Sequence, residues 1–133
     1  MDLQGKKDEI IEIREAVITL RTDGIIQVTY KDNVVITVEL QDRLYDIFNN
    51  ICKDKKRPFL FSAFDHVIVS SEARINAIRM EDKFPGCATA VLANTLAYKL
   101  VANFYLKVNR PKTPYRVFTD KGEAIKWLLT FAD

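Results

Sequence analysis

The chain has 133 residues, 48% of them hydrophobic and 29% charged, which is the size of one ordinary domain and too apolar for a disordered chain. Its 20 basic residues stand against 18 acidic ones, a net charge of +2; so weak a field excludes a general electrostatic footprint for nucleic acid. There is no linker and no low-complexity stretch, so residues 1–133 are read as a single domain, with 1–9 a flexible or loosely packed start.

That start is polar and lacks the apolar stretch of a secretory signal. Cys52 and Cys87, the two cysteines, fall on a helix face and at the head of an apolar run, and both are expected as core thiols in a reducing compartment. The expected location is the cytoplasm. From Ile11 to Leu20 apolar residues alternate with polar ones, the period of a half-buried strand with a shift near Arg14. Asp23-Gly24 then turns the chain, and Ile26, Val28 and Tyr30 resume the alternation. A second turn at Lys31-Asp32-Asn33 leads to a short strand, Val34-Val35-Ile36, and the first quarter reads as a β-meander.

The period then changes. Leu40, Leu44, Ile47, Phe48, Ile51 and Cys52 recur at helical spacing behind Thr37 as N-cap, with Glu39 in the first turn. Phe59-Leu60-Phe61-Ser62-Ala63-Phe64 is too apolar for a half-exposed strand and is expected at the centre of the sheet. A helix from Ser70 or Ser71, a buried strand over 87–93, a helix over 95–107 and a strand at Tyr115-Arg116-Val117-Phe118-Thr119 follow. In the last helix Asp120 and Glu123 have the spacing of a capping box, and Ala124, Leu128, Phe131 and Ala132 form the inward stripe. The expected fold is α/β, order βββαβαβαβα: a mixed sheet with an antiparallel N-terminal hairpin and right-handed βαβαβα crossovers.

The residues supply little reactive chemistry. Gly5, Gly24, Gly86 and Gly122 are all isolated, so no phosphate-binding loop is spelled. His66 is the single histidine and the cysteines lie far apart in sequence, which predicts no metal site and no cofactor. Asp65, His66 and Ser70 lack the nucleophile elbow of a hydrolase, and no enzyme is expected. The 88–106 stretch is apolar but carries Asn94, Thr95, Lys99 and Asn103, against a membrane span. Basic residues gather at Lys53, Lys55, Lys56 and Arg57, and at Lys107, Arg110, Lys112 and Arg116. Without interleaved stacking aromatics they are read as solvated turns and not as a nucleic-acid contact.

Three stretches, Asp23-Gly24-Ile25-Ile26-Gln27-Val28-Thr29-Tyr30-Lys31, Ser71-Glu72-Ala73-Arg74 and Pro114-Tyr115-Arg116-Val117-Phe118-Thr119-Asp120, taken with the order of elements, resemble the small bacterial STAS/SpoIIAA-like domains. The resemblance spans nearly the whole chain. It implies a SpoIIAA-like fold and a non-catalytic regulatory or protein-interaction role. In anti-sigma-factor antagonists of that superfamily, the helix after the central strand opens with an Asp-Ser-Ser-Gly-like segment whose serine is phosphorylated. The matching residues here are Val69-Ser70-Ser71-Glu72, so Ser70, Ser71 and Arg74 are candidates for a switch or anion site. Val69 and Glu72 depart from the pattern, Glu72 adding like-charge repulsion to a phosphate, and a plain N-cap accounts for the serine equally.

Two helices carry more apolar surface than one sheet covers. In the helix that starts at Thr95, Leu96, Ala97, Leu100, Val101, Phe104 and Val108 form a sheet-facing stripe, while Tyr98, Ala102, Tyr105 and Leu106 continue around the helix. In the preceding helix Ala73, Ala77 and Met80 make one face, with Ile75 and Ile78 nearly opposite. These second faces are expected to meet a protein partner, most simply a second copy in a homodimer. The alternative is that the two helices bury them on each other or under the Arg110 to Pro114 loop. A second role, as carrier or sensor of a small apolar, lipid-like ligand, follows if Phe59, Phe61, Phe64, Phe104 and Tyr105 line a pocket instead of filling a core.

Overall fold

In the computed structural model, which describes residues 7–63, 66–93, 95, 96, 99, 103 and 111–132, the alternating first quarter becomes three antiparallel strands. They are β1 (Glu9–Glu12), β2 (Ala16–Leu20) and β3 (Ile26–Tyr30). The single strand expected from Ile11 to Leu20 is thus two, folded back at residues 13–15, where the Ile13 N–H donates to the Ala16 carbonyl (2.9 Å). Ile11 and Ile18 sit opposite each other across this hairpin, so the shift of the alternation near Arg14 marks a fold-back and not an irregularity within one strand. The β2–β3 loop turns where Gly24 takes φ +91°, a backbone state that L side chains rarely adopt. The Arg21 guanidinium, held by the Asp23 carboxylate at 2.9 Å, braces this loop.

Beyond β3 come β4 (Val35–Ile36), α1 (Val38–Cys52), β5 (Arg57–Ala63), β6 (Ile68–Val69), α2 (Ser71–Arg79) and a 3₁₀ turn (Glu81–Lys83). Strands β7 (Gly86–Leu92) and β8 (Tyr115–Phe118) and helix α3 (Lys121–Leu129) complete the described elements. The six-stranded sheet has the order β1-β2-β3-β5-β7-β8, antiparallel over its first three strands and parallel thereafter. Because β3, β5, β7 and β8 are parallel neighbours, each connection between them is a crossover. The sequence expectation of a mixed α/β sheet with an antiparallel N-terminal edge therefore holds.

The short strand near residue 35 belongs elsewhere. It pairs in parallel with β6, Val35 opposite Ile68 and Ile36 opposite Val69, in a separate two-stranded ladder, so it is no part of the meander. Of the helix expected over 95–107, Leu96, Lys99 and Asn103 have helical backbone; the remaining residues fall outside those described, Thr95 excepted. Leu96 is 73% exposed and does not join the sheet-facing stripe expected of it.

Strand β5 is central, and adjacent residues on it serve opposite faces of the sheet, as period-two geometry requires. Phe59 joins a core with Ala16, Ile18, Ile26, Val28 and the Leu40, Leu44, Phe48 and Cys52 stripe of α1. Leu60 joins Ile25, Ala88, Ala90, Leu92, and Ala124 and Leu128 of α3. Aromatic rings lock the first layer: Phe59 lies 5.0 Å from Phe48 and 4.6 Å from Phe84, centroid to centroid. A Cβ at Gly86 would lie 2.2 Å from the Phe84 ring, so this close approach needs glycine. Cys52 is buried, and burial pushes its thiol pKa up, whereas Cys87 is only half-buried.

Candidate functional site

The start of α2 is built by the small ladder. The Ile68 N–H donates to the Val34 carbonyl (3.0 Å) and the Ser70 N–H to the Ile36 carbonyl (3.1 Å). Because Ile36 and Val69 are partners, the residues that follow them, Thr37 and Ser70, begin α1 and α2 side by side. Both cap their helices. The Thr37 hydroxyl accepts from the Leu40 N–H at 3.2 Å and the Ser70 hydroxyl from the Ala73 N–H at 3.1 Å, satisfying donors that helix ends leave unpaired. Two positive helix ends meet here, and Glu39 and Glu72 in the first turns already answer that field.

The three candidate residues at this helix start thus differ. The Ser70 hydroxyl is engaged in the cap, whereas Ser71 and Arg74 are exposed; the Arg74 N–H closes the first helical turn on the Ser70 carbonyl (3.1 Å). Helix α2 buries little of itself: Ala73 and Asn76 are its buried residues. Asn76, 4% exposed, donates to the Gln41 side-chain oxygen at 2.9 Å, while the Gln41 amide donates to the Ala73 carbonyl at 2.9 Å. This polar clasp, together with Ala73 in the apolar core of α1, fixes α2 on α1. The sequence reading passed over it, although Asn76 falls one helical turn from Ala73 on the inward face.

Away from α1 the helix shows Ile75, 63% exposed, and Ile78, 49% exposed, as expected of a second apolar face. At the head of α2 the ladder adds a pair the sequence reading missed: Val35 (49%) and its cross-strand neighbour Ile68 (61%) face outward while Ile36 and Val69 pack inward. Tyr98, Ala102, Tyr105 and Leu106 lie outside the described residues, as do Phe64, Phe104 and Asp65. Of the rings proposed to line a ligand pocket, Phe59 and Phe61 pack against Phe48 and Phe84.

His66 sits on an exposed turn with φ +62°, its Nδ1 3.7 Å from an Asp32 carboxylate oxygen. Among the described residues no three of His, Cys, Asp and Glu gather as a metal site. No described helix is long and apolar enough to cross a membrane. The two basic stretches do converge, Lys56 and Lys112 lining one cleft with Glu81, Asp82, Phe84, Gly86 and Thr113. Acids answer the charge there: the Lys112 ammonium donates to Asp82 at 3.0 Å, which raises its pKa, and the Lys112 N–H donates to Glu81.

The arrangement of strands and helices is shared with solved structures. An uncharacterised protein of the DUF3478 family with a SpoIIAA-like fold, from Shewanella loihica PV-4, superposes with a TM-score of 0.59 over 92% of each chain at 12% identity. The SpoIIAA-like resemblance read from the sequence therefore stands as a likeness of fold. An anti-sigma factor antagonist from Mycobacterium paratuberculosis is a looser match, TM-score 0.44, again over 92% of each chain, at 11% identity. A search of curated proteins finds no match. Residues 18–132 fit the model of a domain of unknown function, DUF7793, and on that match over most of its length the chain belongs to the DUF7793 family.

Proposed function

We propose that the protein is a non-catalytic cytoplasmic interaction module that meets a protein partner through the exposed side of α2 and the outer face of the β4–β6 ladder. One observation carries this reading. Four large aliphatic side chains are exposed, Val35 and Ile68 (49% and 61%) on the ladder and Ile75 and Ile78 (63% and 49%) on the helix that follows it, and that helix puts only Ala73 and Asn76 into the protein's interior. Such exposed apolar faces usually mark a contact site. The resemblance to SpoIIAA-like domains supports a regulatory role for such a contact. On this reading the capped Ser70 shapes the surface, and Ser71 and Arg74 are its polar rim. Any phosphoryl group added at Ser71 would face the Glu72 carboxylate and weaken the contact by charge.

Site-specific photo-crosslinking tests the proposal in the cells that make the protein. Benzoylphenylalanine replacing Ile75 or Ile78 is expected to yield defined protein adducts, and the same group at Lys126, on the exposed side of α3, none. Equal yields at all three positions, or none at 75 and 78, would remove α2 as the contact surface.

A further inference from the structure

Resting on that reading of α2 as the contact surface, we propose that its occupant is a second copy of this chain, docked α2 against α2 in antiparallel fashion about a two-fold axis. The charge pattern of the helix is self-complementary. At about 100° per residue, Ile75 and Ile78 lie roughly 200° around the helix from the buried Ala73 and Asn76, so they point directly away from the domain. Glu72 and Arg79 are seven residues apart, which brings them to within about 20° of each other on one flank of that apolar stripe and about 10.5 Å apart along it. Neither has an ion-pair partner among the described residues.

A two-fold axis lying midway between Glu72 and Arg79 crosses the helix beside Ile75. It sets Glu72 of each copy against Arg79 of the other, giving two equivalent ion pairs at the ends of the contact. Between them Ile75 meets its own counterpart, and Ile78 of each copy lies beside Ile75 of the other. The surface is thus isologous, the form two-fold dimers require. Sliding the copies by about two turns sets like charges against each other and loses the pairing. Arg74 falls on the opposite flank, where the same axis brings the two guanidinium groups about 4.5 Å apart along the helix; this repulsion limits affinity. A contact between nine-residue helices lies at the small end of specific interfaces, below about 1,200 Å², so the dimer is a weak one.

Sedimentation equilibrium on the purified chain, from about 10 μM to about 1 mM, a range suited to so small an interface, tests the inference. Self-association is expected across that range, weakened at least tenfold by Glu72→Arg or by Arg79→Glu alone. An equimolar mixture of those two variants restores it as a heterodimer, because each then offers the charge the other lacks. Arg74→Ala tightens it. A chain that remains monomeric throughout, or a dimer indifferent to both charge reversals, overturns the inference. If the chain alone is monomeric while crosslinks from position 75 capture a different protein, the second-copy inference fails and the α2 contact survives. If position 75 captures nothing, both fail.

Discussion

Single side chains here decide how helices begin and how they are held, and the costs of removing them differ in kind. Ser70→Ala deletes the acceptor for the Ala73 N–H and is expected to cost about 1 kcal/mol in urea denaturation, whereas Ser70→Asp, an equally good cap, is expected to cost little. A large loss in Ser70→Asp would mean that the hydroxyl does something besides capping. Asn76 and Gln41 behave as a unit, since each satisfies a polar group of the other's helix. Asn76→Ala leaves the Gln41 oxygen without its donor and is expected to cost about 1–3 kcal/mol. In a double-mutant cycle with Gln41→Ala the coupling is expected to exceed about 0.5 kcal/mol, and strict additivity would dissolve the clasp. Of these residues the sequence disclosed the serine, because caps obey a local rule. It did not disclose the asparagine, because what justifies a buried amide is a partner 35 residues away.

At the scale of elements, legibility followed range. Helix α1 announces itself through Leu40, Leu44 and Phe48, all buried as their spacing requires, and β5 through a run apolar enough to be covered on both faces. The β1–β2 hairpin stayed hidden because no glycine or proline marks residues 13–15 and its one trace, the shift of the alternation near Arg14, reads equally as an irregularity in a single strand. The β4–β6 ladder stayed hidden because two-residue strands have no period at all, and their pairing spans 33 residues. What secures the unmarked hairpin is visible only in three dimensions: Glu15, inside the turn, receives a hydrogen bond from Arg43 on α1. That bond holds the Glu15 carboxyl below its ordinary pKa. A carboxyl depressed in the folded state stabilises the fold above its unfolded value of about 4.3 and loses that contribution as pH falls through the folded value. Arg43 is partly exposed, so solvent screening keeps the contribution of the tie small. The urea midpoint of Arg43→Met is therefore expected to lie slightly below that of the parent at pH 7 and to converge with it as acid protonates the Glu15 carboxyl. A gap that persisted once that carboxyl is protonated would trace to packing by the arginine stem, not to charge.

Seen whole, the molecule is one sheet with a core on each face, and the two cores are joined through neighbouring residues of the same strand. Phe59 belongs to the α1 layer and Leu60 to the α3 layer, so neither layer can be lost without stripping one face of β5. That continuity predicts a single cooperative transition, and the chain carries a convenient reporter. Trp127, its one tryptophan, lies in the α3 layer, 5.6 Å from Phe118 and 5.0 Å from Phe131. Phe48 is on the other side of the sheet, 1% exposed and edge-on to Phe59. Phe48→Ala is expected to cost about 3–5 kcal/mol, the usual range for a buried phenylalanine. Although the cavity opens in the α1 layer, the Trp127 fluorescence transition should move to lower urea by the same amount as the far-ultraviolet circular dichroism transition. If the Trp127 signal held its midpoint while the dichroism shifted, the α3 layer would be standing on its own. The proposed partner surface on α2 would then sit on a separately melting half of the molecule, and binding there would be coupled to the stability of the α1 layer alone.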